Sequence, residues 1–344
     1  EIMPSLVGSE MCIRDRTYAA NNLAAVNFNS GFAGIETADA ILIVGSQVRH
    51  EAALVNVRIR KAVKRGAKVF VVGPEWDTTY PAEFLGDDAA LLHDLPDHVG
   101  EAFTKAERPA IIVGAGGLAA GALDPALALA EAWKVVSGDW NGFNVLHTSA
   151  ARMGALMLGY AQKGGMADIA KGAPKVLLAL GADEVDYSAF GDSLKVYVGH
   201  HGDKGAHAAD IILPAASYAE KDGTYVNTEG RVQYAEKAVF APGDAREDWT
   251  ILRALADALK VEVGFDSFAE LRAKMIAEVP ALGGEGLVSY GKLPKAKASA
   301  KAKGRIRYPI ADYYLTNPIA RASAVMQRCS DELTHGETLA EAAE

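Results

Sequence analysis

Short runs of consecutive apolar residues recur along the chain, and most of them end at a glycine. Two early examples are residues 38–45 (ADAILIVG) and 67–73 (AKVFVVG). Continuous apolar runs of this length are typical of strands buried on both faces of a parallel sheet. The stretch between them, residues 51–66, mixes apolar residues with arginines and lysines and ends at Gly66, as an amphipathic helix does. The three segments predict a strand–helix–strand unit with a right-handed crossover.

The alternation continues as far as about residue 260. Further strands are predicted within residues 109–117, 174–183, 194–203 and 208–215, and further helices within residues 87–106, 124–136, 146–160 and 246–259. Pro96 should break the first of these helices, and Pro125 suits the first turn of the second. Trp249, Leu252 and Leu259 should share the buried face of the last one. The pattern predicts an α/β fold with doubly wound, mainly parallel sheets.

The pattern changes after Val261. A short helix is predicted within residues 266–280, and a terminal helix should start near Asn317 with Pro318 in its first turn. Between these helices, residues 292–307 carry seven lysines or arginines and no acid. A simple composition with charge of one sign predicts a mobile linker.

We therefore expect three regions. Residues 1–16 are interpreted as a non-native leader. Residues 17–262 form an α/β domain of two lobes with a boundary near residue 160, and residues 263–344 form a C-terminal region of helix, basic linker and terminal helix. The leader, EIMPSLVGSEMCIRDR, lacks the basic start and long apolar centre of a signal peptide. It is similar to a translated sequencing adapter, so we exclude it from the fold argument together with Cys12.

Composition narrows the range of functions. The formal net charge of −9 disfavours broad binding to nucleic acid or anionic membranes. Two cysteines, Cys12 and Cys329, cannot form a disulfide framework or supply the four thiolates that an iron–sulfur cluster usually needs. They predict a reducing compartment. No apolar run approaches the roughly 20 residues of a membrane-spanning helix, so direct membrane insertion is not expected.

A glycine-rich stretch at Gly114–Gly117, with Ala119 beyond it, approximates the G-x-G-x-x-A loop of dinucleotide-binding proteins. Such glycines let a pyrophosphate approach backbone N–H groups at the start of a helix. The stretch follows a later strand of the series, however, and no acidic residue clearly ends the next strand. Glycines also close most strand–helix units, so an ordinary turn is the favoured interpretation.

Three histidines lie close together in sequence, at His200, His201 and His207, with Asp203 and Asp210 nearby. A metal site needs ligands that converge at fixed geometry. Neighbouring residues of a strand point to opposite faces, so His200 and His201 are not expected to share one ion. A polar loop at the end of a strand is the favoured interpretation of this cluster.

Two other polar segments are weaker candidates. The carboxylates of residues 181–186 (GADEVD) follow a strand, where open α/β sheets bind ligands, but a solvated loop explains them equally well. Arg58 and Arg60 lie two residues apart on a helix and hence on different faces, which is weak support for an anion site. No Ser–His–Asp or Cys–His arrangement has supporting context. We assign no catalytic, cofactor-binding or metal-binding residue.

Several segments together resemble a known family. They are residues 38–62 (ADAILIVGSQVRHEAALVNVRIRKA), 138–147 (GDWNGFNVLH), 198–233 (VGHHGDKGAHAADIILPAASYAEKDGTYVNTEGRVQ) and 242–257 (PGDAREDWTILRALAD). They resemble the molybdopterin-oxidoreductase superfamily and, within it, the C-terminal part of the large iron–sulfur subunits of respiratory complex I. Residues 308–329 (YPIADYYLTNPIARASAVMQRC) are similar to the tail of those subunits. The resemblance covers nearly everything from about Asn29 onward.

The resemblance implies a function for the whole subunit and a different one for this segment. The whole subunit would carry electrons from NADH toward quinone through [4Fe-4S] and [2Fe-2S] clusters in an N-terminal region that is missing here. This segment would have no cofactor and would act as a scaffold among other peripheral-arm subunits. It would lie at the cytoplasmic face of a bacterial inner membrane or the matrix side of a mitochondrial one. The alternatives are a catalytic molybdopterin oxidoreductase such as a formate dehydrogenase, and a nucleotide-binding transhydrogenase-like domain.

Residues 221–231 (KDGTYVNTEGR) are suited to a polar wall that is rich in turns. In catalytic relatives, the resemblance implies, this segment lines the cavity of a pterin dinucleotide. Gly230 is predicted to have a positive φ. Arg231 is predicted to satisfy buried acceptors, so that its loss would destabilise the fold.

Overall fold

The computed structural model describes residues 22–160, 165–296, 302 and 304–335. The strands are β1 (Ala40–Val44), β2 (Lys68–Val72), β3 (Glu83–Gly86), β4 (Pro109–Val113), β5 (Val136–Ser137), β6 (Trp140–Asn141), β7 (Phe143–Val145), β8 (Val176–Leu180), β9 (Leu194–Gly199), β10 (Ile211–Pro214), β11 (Gly223–Val226), β12 (Arg231–Ala235) and β13 (Gly286–Leu287). The leader predicted at residues 1–16 lies outside the described residues.

The α-helices vary from single turns to three turns. They are α1 (Gly31–Gly34), α2 (Val48–Glu51), α3 (Ala53–Lys64), α4 (Asp97–Lys105), α5 (Ala115–Ala119), α6 (Leu123–Ala132), α7 (Arg152–Met157), α8 (Gly165–Lys171), α9 (Lys204–Ala208), α10 (Asp248–Ala258), α11 (Phe268–Glu278), α12 (Pro318–Arg321) and α13 (Ala324–Leu333). Short 3-10 turns lie at Leu23–Val26, Ile35–Thr37, Ala89–His93, Tyr187–Phe190 and Pro280–Leu282.

The larger sheet has five parallel strands in the order β3-β2-β1-β4-β7. Successive residues of each strand enter different cores because side chains alternate between the two faces. Leu42 and Ile111 pack with Phe103 of α4 on one face, whereas Ile43 and Ile112 belong to the core on the other. Both faces are thus buried, as a parallel sheet requires. The predicted doubly wound α/β fold is confirmed.

The smaller parallel sheet has the order β10-β9-β8 and is covered less evenly. One face packs Ala179 and Tyr197 against Ala206 and Ala208 of α9. On the other face Val176, Leu194 and Ile211 are 54%, 42% and 45% exposed. All three are the first residues of their strands, so an apolar surface opens at the amino ends of this sheet.

Antiparallel strands β11, β12 and β13 form a third sheet. Its Val226 and Val232 pack with Met153 of α7 and Leu282 in a separate core. Helix α11 begins with a capping box in which Ser267 and Glu270 each bond the other's backbone. This third sheet contacts the lobe of the larger sheet, because Phe28 N–H donates to Thr228 carbonyl at 2.9 Å.

Several sequence predictions need correction. On α10, Trp249 and Leu252 are half-buried and Ala256 is buried, whereas Leu259 lies beyond the last helical residue, Ala258, and is 60% exposed. The helix predicted within residues 146–160 begins only at Arg152, because β7 and a turn come first. The terminal helix is two helices, α12 and α13. Ser323 separates them and caps the second by accepting the N–H of Met326.

The basic segment predicted as a mobile linker is packed where the structure describes it. Ala302 and Ile306 are almost fully buried in the core of the larger sheet. Ala89 N–H donates to Gly304 carbonyl at 3.1 Å, and Ile306 N–H donates to Asp87 carbonyl at 2.8 Å. Residues 297–301 and 303 of this segment lie outside the described residues. The alternating small apolar residues that looked like low complexity are therefore partly core residues.

Candidate functional site

The carboxyl ends of strands β1 and β4 form the edge of the larger sheet at which a ligand is expected. The strand order is β3-β2-β1-β4-β7, so successive strands are added on one side of β1 as far as β3 and on the other side from β4 onward. The point between β1 and β4 is therefore the switch point of the sheet. Open α/β sheets bind ligands in the crevice outside the strand ends at such a switch point. Gly45 follows β1 and Gly114 follows β4.

The glycines at this edge let two backbone segments touch. Gly45 has a φ of 61°, and a Cβ atom on it would overlap the backbone nitrogen of Gly117. Gly117 N–H donates to the carbonyl of Gly45 at 3.2 Å. The predicted turn at Gly114–Gly117 is in fact the start of α5, with Gly114 as the N-cap. Close backbone packing therefore explains these glycines, and no crevice for a pyrophosphate opens between them.

A later part of the chain crosses the same edge. The carbonyl oxygen of Arg307 lies 2.3 Å from the position that a Cβ atom of Gly116 would take, and Tyr308 hydroxyl donates to Pro74 carbonyl at 2.5 Å. Arg305 forms an antiparallel bridge with Asp88. We call residues 304–308 the strap. The strap places a carbonyl oxygen, an acceptor, where an anionic ligand would need hydrogen-bond donors.

Glu51 is a half-buried residue whose carboxyl Oε2 is shielded from water and which lies near Tyr308 of the strap. Its Oε1 accepts the N–H of Gln47 at 2.7 Å, and Ser46 and the N–H of Ala115 face the carboxyl group. Burial raises the pKa of Glu51 to about 7, and these three hydrogen-bonding groups offset only part of that rise. Burial and the nearby Glu51 carboxylate raise the pKa of the Tyr308 phenol. Sequence reasoning missed Glu51, because nothing in its local pattern marks a buried acid.

The smaller sheet has an edge of a different kind. Gly181 and Ala182 follow β8, and the next residue is Asp183. Asp183 is buried and accepts two hydrogen bonds. Tyr197 hydroxyl donates to it at 2.8 Å, and Gly205 N–H donates to it at 3.0 Å. Asp186 caps the 3-10 turn at Tyr187–Phe190 by accepting the N–H of Ser188 at 3.0 Å. Residues 181–186 are therefore a loop organised by hydrogen bonds, in which Asp183 is buried and Asp186 is exposed.

Arg321 of α12 reaches this edge from the end of the chain. Its NH2 group donates to Glu184 at 2.5 Å and lies 2.6 Å from Asp203, while its Nε donates to Asp203 at 2.7 Å. Asp203 precedes α9, so Arg321 joins the loops that follow β8 and β9. Sequence reasoning missed Arg321 as well, since its partners lie 137 and 118 residues away.

The histidine cluster is arranged differently from its prediction. His200 and His201 lie past the end of β9, so strand alternation does not separate them. Their Nδ1 atoms are 2.5 Å apart, and the rings meet edge to face. Burial lowers the pKa of His200, and the neighbouring His201 lowers it further. His207 is exposed on α9, and Asp210 accepts the N–H of Lys195 at 2.8 Å.

The polar hairpin between β11 and β12 confirms the backbone conformation predicted for Gly230 and shows the partner of Arg231. Gly230 has a φ of 81°, as expected. The side chain of Arg231 is 44% exposed, and its Nε donates at 3.0 Å to Oε1 of Glu229, whose side chain is only 10% exposed. Glu229 is the organising residue, because its Oε2 accepts the N–H of Phe32 at 3.0 Å. These hydrogen bonds lower the pKa of Glu229 against the effect of its burial.

The other candidates have structural roles. Arg58 donates to Glu36 at 2.8 Å, while Arg60 is exposed, so the two guanidinium groups do not converge. Cys329 is half-buried on α13. His147 is buried with its Nε2 2.6 Å from Val26 carbonyl, and burial lowers its pKa to about 4.

Among the residues that the structure describes, no group of three or more His, Cys, Asp or Glu side chains is placed to hold a metal ion. Over the same part of the chain, no helix combines the length and apolar character needed to cross a membrane.

Comparison with known families and proteins agrees with the sequence resemblance. The family model described as molybdopterin oxidoreductase matches residues 4–258, and a model of the C-terminal part of the NADH-ubiquinone oxidoreductase G chain matches residues 286–329. The chain is 41% identical over 321 residues to the mitochondrial NADH-ubiquinone oxidoreductase 78 kDa subunit of Neurospora crassa. It is 37% identical over 321 residues to the NADH-ubiquinone oxidoreductase 75 kDa subunit of Reclinomonas americana.

Both alignments cover 88% of this chain but only 43% and 46% of the two relatives, so the chain spans less than half of their length. Among solved structures, acetylene hydratase from Pelobacter acetylenicus is similar with a TM-score of 0.53 and 13% identity, covering 92% of this chain and 59% of that one. At this identity the likeness shows a shared fold. With one family model matching most of its length and this fold, the chain belongs to the molybdopterin oxidoreductase family.

Proposed function

We propose that this chain is the C-terminal segment of the large iron–sulfur subunit of respiratory complex I and that it acts as a scaffold without a redox centre of its own. Its curated relatives are NADH-ubiquinone oxidoreductase subunits of more than twice its matched length. Its residues 286–329 match the C-terminal model of the NADH-ubiquinone oxidoreductase G chain. In this proposal the whole subunit carries electrons from NADH toward quinone, and this segment supports it mechanically.

One observation carries the scaffold part of the proposal: the switch point of the larger sheet is filled by the chain itself. Gly45 and Gly117 are in backbone contact, and the strap covers them with the carbonyl of Arg307. A pterin dinucleotide needs an open crevice and donors for its phosphates at such an edge. The residues present do not fit that group, so we derive no chemistry from it.

The proposal places the redox centres and partners outside the described fold. The [4Fe-4S] and [2Fe-2S] clusters belong to the part of the relatives that this chain does not match. The partners are other peripheral-arm subunits of the complex, with no nucleic acid among them. The segment lies on the cytoplasmic face of a bacterial inner membrane or the matrix side of a mitochondrial one and associates peripherally through the complex.

Metal and cofactor analysis of the purified chain tests the proposal. We expect neither molybdenum nor pterin in stoichiometric amounts, and iron only in longer proteins that include the N-terminal region proposed to hold the clusters. Stoichiometric molybdenum with a pterin would overturn the scaffold proposal and favour a catalytic molybdopterin oxidoreductase such as a formate dehydrogenase.

A further inference from the structure

The last part of the chain contacts the carboxyl edges of both parallel sheets. The strap covers the ends of β1, β2 and β4 in the larger sheet, where Tyr308 reaches Pro74. Further along, the ring of Tyr313 lies 5.2 Å from that of His50, which belongs to α2 at the same edge. The chain then reaches the smaller sheet at Arg321. We call residues 304–335 the tail.

Arg321 is held in one geometry by its own segment as well as by its targets. Its NH1 group donates to Leu315 carbonyl at 3.0 Å, while Nε and NH2 are used by Asp203 and Glu184. The side chains of Arg321, Asp203 and Glu184 are 19%, 17% and 31% exposed, so the group is mostly shielded from water. Burial alone would lower the pKa of Arg321, but the two carboxylates reverse this and raise it.

Hydrogen bonds between residues of the tail itself hold much of it together as one unit. Asn317 caps α12 by accepting the N–H of Ala320, and Ser323 caps α13. Asp312 accepts the hydroxyl of the buried Ser330 at 2.5 Å, which ties the segment before α12 to α13. These contacts join residues from Asp312 to Ser330, a range that includes both Tyr313, which contacts His50, and Arg321.

We propose that the tail is an intramolecular clamp that fixes the placement of the smaller sheet relative to the larger one, with Arg321 as its positioning residue. The two carboxylates at Glu184 and Asp203 sit on separate loops and would repel each other without the guanidinium group between them. A planar group with several fixed donors suits this task better than an ammonium group. The clamp goes beyond the scaffold function, because it does not depend on the absence of a cofactor.

The distance between the two sheets, measured by pulsed electron paramagnetic resonance, tests the clamp. Spin labels would be attached at Arg60→Cys on α3 and Asp192→Cys before β9, both exposed positions, in a chain whose Cys12 and Cys329 are replaced by serine. We expect a narrow distance distribution in the parent. In Arg321→Met the distribution should broaden, and hydrogen exchange should rise in the loops that follow β8 and β9.

The matched control is Arg328→Met, because Arg328 is 70% exposed and pairs with Glu332 of its own helix. It should leave the distribution as narrow as the parent's. If Arg321→Met does not fold, Arg321→Lys and Glu184→Gln each remove part of the contact and should broaden the distribution less. Distributions that stay narrow in every folded Arg321 and Glu184 variant would overturn the clamp.

The same preparations separate this inference from the proposed function. Molybdenum and pterin in the parent would overturn the scaffold proposal and leave the clamp standing, if the distance distribution still broadens in Arg321→Met. If the parent has neither cofactor and its distance distribution is unchanged in Arg321→Met, the clamp is overturned and the scaffold proposal stands.

Discussion

The two parallel sheets of this protein come from the same kind of sequence pattern but are completed in different ways. The larger sheet is covered on both faces, and its carboxyl edge is closed by backbone contact at Gly45 and Gly117. The smaller sheet exposes apolar residues such as Ile211 on one face, and its edge is closed by charged side chains around Arg321. Apolar runs therefore specify the strands, while residues far away in the sequence determine what covers the edges and faces of each sheet.

The difference has a physical consequence for how each edge responds to change. Backbone contact leaves no space for an added atom, so a substitution at the larger sheet meets a rigid obstacle. A network of carboxylates and a guanidinium group can rearrange or take up water, so the smaller sheet should tolerate changes of shape and respond instead to changes of charge.

The largest effect is expected at Gly45. Gly45→Ala places a Cβ atom on the backbone of Gly117 and also requires a positive φ from a residue with a side chain. Strain and overpacking together should lower the free energy of unfolding by about 4 kcal/mol or more. Urea unfolding measures this. Gly66→Ala is the matched control, because Gly66 has a φ of 103° but no atom within 4 Å of its Cβ position. Equal losses in the two variants would show that the contact with Gly117 is unimportant.

The second prediction compares the faces of the two sheets. Ile43 is 0% exposed in the larger sheet and Ile211 is 45% exposed in the smaller one. Ile43→Ala should cost about 2–5 kcal/mol, because it leaves a cavity in a close-packed core, whereas Ile211→Ala should cost about 1 kcal/mol or less. Thermal unfolding of both variants measures the difference. Similar losses would mean that the open face is in fact covered in solution.

The third prediction concerns the pH dependence of the larger sheet's edge. The pKa of Glu51 is about 7 in the folded protein and 4.5 without its surroundings. The folded state therefore binds the proton more tightly, and the stability that Glu51 contributes below pH 4.5 is lost as pH rises through about 7. The loss should amount to about 2–3 kcal/mol at pH 8.

Glu51→Gln tests this prediction, because glutamine stays neutral in the place of the protonated acid. The variant should match the parent in urea unfolding at pH 5 and exceed it in stability at pH 8. Glu75→Gln, at an exposed position, should leave the pH profile unchanged. A difference in stability between Glu51→Gln and the parent that is the same at pH 5 and pH 8 would contradict the raised pKa of Glu51.

The fold was largely predictable from sequence, because it depends on local patterns. The runs at Ala40–Val44 and Lys68–Val72 became neighbouring parallel strands, and Gly66 ended the helix between them. The break at Pro96 also occurs, between a 3-10 turn and α4. These features follow from side-chain periodicity and backbone restrictions, which act within a few residues.

The site could not be predicted in the same way. Glu51 has an ordinary helical context, and its carboxyl group lies close to Tyr308 of the strap, more than 250 residues later in the chain. Arg321 resembled any arginine of a terminal helix, since its partners are the distant Glu184 and Asp203. Arg231 shows the same limit, because the sequence does not say that its partner is the largely shielded Glu229.

The smallest effect is expected for Arg231, whose side chain is more exposed than that of Arg321 and pairs with one carboxylate instead of two. Arg231 is 44% exposed and contacts one carboxylate two residues away, so Arg231→Ala should change the free energy of unfolding by about 0.5 kcal/mol or less. Gly230→Val, next to it, should cost about 1–3 kcal/mol because of its positive φ and the ring of Tyr290. Urea unfolding of both variants beside Arg321→Met decides the matter. If Arg231→Ala were as destabilising as Arg321→Met, burial would not be what distinguishes the two ion pairs, and the contrast between the exposed hairpin and the shielded edge would fail.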